Sequence, residues 1–214
     1  MHLNKDKIKI TQEIYKSLHK WKDANEAITN FFENNPKNRD FKIVLIKVLL
    51  IDGLYKTNLK NPDAIEVAKK IVGLTNLDEN LIKHKLDACI SIADCKKDND
   101  DKKRIFLMSF ASKYCHFHNK EKYPIYDKYV VIALKRLGGY VDKRDFGHFI
   151  GTLNKISEEN NVNFEDLDIF LWLYGQKIYI KKQIEKGKIL DKIDINKEVK
   201  ILYAQKEYLF NQLE

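Results

Sequence analysis

Cysteine is scarce in this chain. Of 214 residues only three are cysteines, Cys89, Cys95 and Cys115. An odd number with no tight C-x2-C pair argues against a disulfide framework and a thiolate zinc site, and for free thiols in a reducing cytoplasm. There are only three prolines and eight glycines, and no glycine loop that would cradle a phosphate. No apolar run approaches the ~18–20 residues that a membrane span needs, and the opening residues do not read as a signal peptide. Alternating strand patterns are also rare. Helical periods dominate, which predicts an all-α protein.

What the chain has in abundance is lysine. Lys and Arg total 39 against 31 Asp and Glu, a formal charge of +8. Such an excess suits a polyanionic partner, and DNA is the partner expected here. Scattered lysines also coat ordinary soluble surfaces, so charge alone does not decide. No membrane partner is expected.

Amphipathic segments follow one another along the chain. Residues 5–21 form a first helix, with Ile8, Ile14, Leu18 and Trp21 on its apolar side, and Asp23 opens a second that stops near Pro36. Residues 39–52 are apolar nearly all round, and that predicts a central buried helix. Asn61 and Pro62 open the next helix, which closes at Gly73, and Asp78 opens another through Ile92. The charged run 96–103 reads as a solvated loop and a division between two helical lobes. Later helices start at Asp142 and Asn163, the latter closing at Gly175. Residues 176–214 read as a basic extension of one or two exposed helices.

Unusual residues cluster in one stretch, Ser109 to Leu134, SFASKYCHFHNKEKYPIYDKYVVIAL. Its first half reads as a helix with a wide apolar face and a polar stripe of Ser109, Ser112, Lys113 and His116 that looks into a cleft. Pro124 holds the chain extended. Asp127 then opens an apolar run. A carboxylate there gains from the free N–H groups of a helix start, so one reading of Asp127 is simply a cap. The other is chemical: a carboxylate facing a basic pocket can deprotonate water and balance a developing cation on a sugar. Ser109 and Lys113 would assist it. His116, His118, Lys120, Lys122 and Lys128 would contact nucleic acid, and Tyr123, Tyr126 and Trp172 would stack on a flipped base. His116 and His118 lie about 200° apart on a helix, so they do not form a metal pair with Cys115. Neither a metal nor another cofactor is expected.

These residues carry a resemblance. SFASKYCHFHNKEKYPIYDKYV, with the later LDIFLWLYG, resembles the eight-oxoguanine-glycosylase-like branch of the helix-hairpin-helix DNA glycosylases. It spans about residues 25–175. It implies a two-lobed, glycosylase-like domain over 1–175, with Asp127, three residues after Pro124, as the catalytic acid. The glycines of that superfamily's hairpin would fall near Ile105–Met108, where this chain has none. Its nucleophilic lysine would fall near Met108 or Ser109, and a serine there fits a monofunctional enzyme whose nucleophile is water. Two functions follow as expectations. One is a DNA N-glycosylase that hydrolyses the bond between base and sugar. The other is a catalytically silent helical module of the same shape that binds nucleic acid or a protein.

Overall fold

The computed structural model describes residues 3–57, 59–60, 63–97, 100–139, 141–142 and 145–214, with backbone alone for 95–97 and 100–105. The protein is helical, as its periodicity predicts. Among the described residues the elements are α1 (Lys5–Lys16), α2 (His19–Asn34), α3 (Phe41–Tyr55), α4 (Ala64–Gly73), α5 (Leu77–Ile82), α6 (Leu86–Ala93), β1 (Asp94–Lys97), β2 (Asp100–Phe106), α7 (Met108–His118), α8 (Lys128–Arg136), α9 (Phe146–Asn160), α10 (Phe164–Glu185) and α11 (Lys197–Asn211). The chain divides into two compact units. One unites 1–23 with 127–214, and the other is the continuous segment 24–126.

Short polar side chains set most of the helix starts, because the first N–H groups of a helix lack internal acceptors. Asn4, Asp40, Asn163 and Asn196 each accept from the first turn of the helix that follows. Asp63 and Glu66 form a reciprocal capping box at α4. Asn61 and Pro62, expected to open that helix, lie outside the described residues. Three expected starts move. α2 begins at His19, ahead of Asp23. α5 begins after Asn76, which leaves Asp78 free for another use, and His84 with φ +54° separates α5 from α6. The cap of α9 is Asp145, whose Oδ1 accepts from the His148 amide at 2.8 Å, in place of Asp142.

In the unit 24–126, α3 packs on α4 and α7, and α6 packs on α7. The expected central helix is displaced. α3 buries Val44, Lys47, Val48 and Ile51 but leaves Ile46 41% and Leu49 52% exposed. α7 is the buried one: Met108, Phe110, Ala111, Ser112, Lys113, Tyr114, Cys115 and Phe117 are all inside. Phe32 meets Tyr114 edge-on, ring centroids 5.4 Å apart, and lies equally close to Phe117. The charged run 96–103, expected as a loop between lobes, instead lies within this unit. Its described residues belong to an antiparallel hairpin that pairs Asp94 with Phe106 and slips register at Lys96/Lys97.

The other unit is built on α10, 22 residues long, which packs on α8, α1, α9 and α11. Gly175 does not end it. A Cβ at Gly175 would overlap the Tyr129 carbonyl, so this glycine is what lets α8 approach. Trp21 stacks on Trp172 at 5.1 Å between centroids. The expected exposed extension is integral to this unit: α11 buries Val199, Leu202, Tyr203, Leu209 and Phe210. Glu198 at its start accepts from the Lys20 and Trp21 amides at 3.1 and 2.6 Å, and so satisfies the first turn of α2.

Candidate functional site

The polar stripe of α7 is partly inside: Ser112 and Lys113 are buried, Ser109 and His116 half-buried. Lys113 is buried, and its Nζ donates to Ser109 Oγ at 2.8 Å and to the Ser109 carbonyl at 3.0 Å. The ammonium also stands 5.2 Å from the centre of the Tyr55 ring. Ser109 and Lys113 are therefore brought together, with Lys113 buried and Ser109 half-buried. Ser112 Oγ accepts the Tyr126 amide at 3.0 Å and pins the extended segment after the turn. His116 Nδ1 lies 2.9 Å from the Tyr123 carbonyl, so that nitrogen carries the proton and donates it. Burial lowers the His116 pKa to about 4, against the opposing effect of this hydrogen bond, and nearby Lys120 and Lys113 lower it further. The ring is neutral at pH 7, and its expected contact with phosphate is replaced by an internal one.

His118 joins a polar cluster that the α7 stretch does not announce. Asn38 is its hub. Asn38 donates from its backbone N and its Nδ2 to Asp78 Oδ1 at 3.1 and 2.9 Å. Its Oδ1 accepts from Lys47 Nζ at 2.9 Å and from the Tyr114 hydroxyl, with His118 Nε2 at 3.2 Å. Lys47 is wholly buried and also donates to the Lys37 carbonyl at 3.3 Å. Its ammonium stands 4.9 Å from the Phe32 ring centre. Desolvation lowers the Lys47 pKa to about 8, opposed by the Asp78 carboxylate. Burial and then the Lys47 charge lower that of His118 to about 3. The sequence carried one sign of this cluster, a lone lysine inside IVLIKVLLI.

Asp127 opens the other unit. It is 9% exposed, and its Oδ1 accepts from the Tyr129 and Val130 amides at 2.7 and 2.8 Å. That is the geometry of a helix cap. Lys128 is exposed, with its ammonium 4.3 Å from the Tyr179 ring centre and 4.8 Å from that of Tyr129. Lys120 and Lys122 are exposed too. Of the expected base platform, Tyr123 is fully buried, and its hydroxyl donates to the Lys85 carbonyl at 3.1 Å. Tyr126 is half-buried, and Trp172 is engaged by Trp21. Where the resemblance would place hairpin glycines, β2 runs straight into α7. No group of three or more possible metal ligands occurs among the described residues.

A family model described as an N-terminal domain, HI_0787_N, matches residues 6–122. That is more than half of the chain. The chain belongs to the HI_0787_N family. An uncharacterised protein of Haemophilus influenzae is 30% identical over 147 residues, which cover 65% of this chain and 70% of that protein. No solved structure matches the chain. The family span takes in the Lys47 cluster and the α7 stripe, and it ends before Asp127. No helix among the described residues is long and apolar enough to cross a membrane.

Proposed function

We propose that the chain is a nucleic-acid-binding helical module that does not cleave glycosidic bonds. The observation that carries this reading is the state of the residues a hydrolase would need. Asp127 Oδ1 is held by two amides of its own helix. Lys113 is buried, and its ammonium donates to Ser109. Tyr123, the aromatic nearest Pro124, is core. A general base needs a carboxylate within reach of a water beside the scissile bond, and the Asp127 oxygen that the structure engages is turned to its own helix start. The formal charge of +8 and the exposed Lys120, Lys122 and Lys128 support a polyanionic partner.

The test has two arms. Fluorescence anisotropy with a short labelled duplex, repeated from about 50 to 200 mM salt, should give a linear fall of log affinity with log salt. Each of Lys120→Gln, Lys122→Gln and Lys128→Gln that removes a phosphate contact should flatten that slope by about 0.9. Binding that ignores salt would point to a protein partner. In the second arm, duplexes that carry damaged bases should release no base. Release that is abolished in Asp127→Asn would restore the hydrolytic reading and remove this one.

A further inference from the structure

Helix α3 is apolar nearly all round, and a helix of that kind is normally covered on every side. One side of this one is open. Its exposed residues are Phe41, Lys42, Ile46, Leu49 and Gly53, and every other residue of α3 is buried or half-buried. From Lys42 to Gly53 the exposed positions step by four, three and four residues. That is the 3.5-residue period of a seam between two paired helices. α4 and α7 pack against α3 elsewhere on its surface.

Two features say what fits this seam. The first is Gly53. It lies inside α3, where glycine weakens a helix. A Cβ there would meet nothing within 4 Å, so no neighbour among the described residues accounts for the glycine. A seam position without a side chain does let a second backbone come close. The second feature is charge. Lys42 stands in the first turn of α3, near the positive end of the helix dipole, and Asp52 stands in the last turn, near the negative end. Each is at the end that its own helix disfavours. Asp52 is half-buried, and its Oδ1 accepts from the Thr57 hydroxyl at 2.5 Å and the Leu59 amide at 3.2 Å. An antiparallel copy of α3 reverses both placements. With Ile46 set opposite Leu49, Lys42 falls opposite Gly53, beside Asp52 and the negative end of the second helix. A parallel copy would instead set Lys42 against Lys42.

We propose that two copies of this chain pair through the open face of α3, antiparallel and about a two-fold axis. Ile46 of each copy packs on Leu49 of the other, and Lys42 closes each end of the seam over Gly53. The contact is isologous, the same patch meeting itself, as closed dimers require. The 15 residues of α3 span about 22 Å. A seam of that length buries less than the roughly 1,200–2,000 Å² of a standard stable interface, so the association is weak and depends on concentration. The proposal is independent of the nucleic-acid reading.

The experiment is sedimentation equilibrium of the whole chain from about 1 μM to about 1 mM, the range of weak association. A reversible monomer–dimer curve is expected. Ile46→Glu and Leu49→Glu lie on an exposed face and should weaken the dimer by about tenfold or more. Gly53→Leu should weaken it by a similar factor, while the Tm measured at the lowest concentration holds or rises. Lys42→Gln should weaken it a few-fold. A tighter dimer in Lys42→Gln would mean that like charges face each other, and would overturn the antiparallel pairing. A chain that stays monomeric up to about 1 mM overturns the proposal and leaves this face to a different protein. A dimer that Ile46→Glu and Leu49→Glu leave intact also overturns it, because the contact then lies elsewhere. If either glutamate variant does not fold, the Ile46 and Leu49 methyl signals of the wild type decide by NMR. They should shift with concentration along the sedimentation curve, and signals that stay in place overturn the seam.

Discussion

The Lys47 cluster allows a stability prediction with a worked sign. The amine is wholly buried, and its pKa falls from 10.5 to about 8. That fall of about two and a half units, at 1.36 kcal/mol each, means that the charged form costs the fold about 3 kcal/mol. At pH 7 the amine is charged in both states, so the cost is present in full. Between pH 8 and 10.5 the unfolded chain holds the proton that the folded chain has lost, and stability therefore rises with pH across that window. Lys47→Met removes the charge and keeps most of the side-chain volume. It also removes the hydrogen bonds to Asn38 Oδ1 and the Lys37 carbonyl, at about 1 kcal/mol each. Asn38 Oδ1 keeps the Tyr114 hydroxyl as a donor. The net expectation at pH 7 is a stabilisation of about 1 kcal/mol, or about 2–4 °C in Tm for a chain of this size. Thermal unfolding followed by circular dichroism at pH 7 and pH 9.5 would show it. The variant's advantage should shrink at the higher pH. A Tm at pH 7 well below wild type, or an advantage that does not change with pH, would refute the desolvation argument.

Other perturbations give distinct outcomes. Asp127→Ala should lower stability by about 1 kcal/mol through loss of the α8 cap, and Asp127→Asn, which keeps an acceptor oxygen, by less; urea midpoints would separate them. Gly175→Ala places a methyl group on the Tyr129 carbonyl, so α8 must move, and a loss of about 2 kcal/mol or more is expected from the same measurement. His116 and His118 have folded pKa values lowered to about 4 and about 3 against an ordinary 6.5. Their neutral forms are stable above pH 6.5, and stability should drain away as pH falls from there towards 4, because the unfolded chain takes up protons that the fold refuses. Replacement of His118 by Gln should flatten that acid limb in a series of urea titrations.

Local chemistry made much of this architecture readable. Helical period, cap residues and the proline before Asp127 placed most of the helices, because these signals act within one or two turns. What could not be read was decided by partners distant in sequence. The apolar run 41–51 predicts a buried helix, yet α7 takes the interior and leaves Ile46 and Leu49 outside. The polar stripe of Ser109, Lys113 and His116 has the spacing of a cleft face, and periodicity cannot distinguish a cleft from a buried network whose acceptors are backbone carbonyls. Gly175 looks like a stop signal, but its role is set by the Tyr129 carbonyl, 46 positions earlier. Asp78 looks like a cap, and its acceptor is spent on Asn38, 40 positions away.

The discontinuity of one unit bears on how the molecule assembles. Its two pieces are separated by the 103 residues from 24 to 126, and joining ends that far apart costs an unstructured chain about 4 kcal/mol of closure entropy. Once the intervening segment has collapsed into its own core, its ends are no longer independent and much of that penalty disappears. Pulsed hydrogen exchange should therefore show amides in the continuous segment protected before those of α1. Helix α1 has to wait for α10 and α11, and a nascent chain can cover its buried face only after residues far downstream have been made.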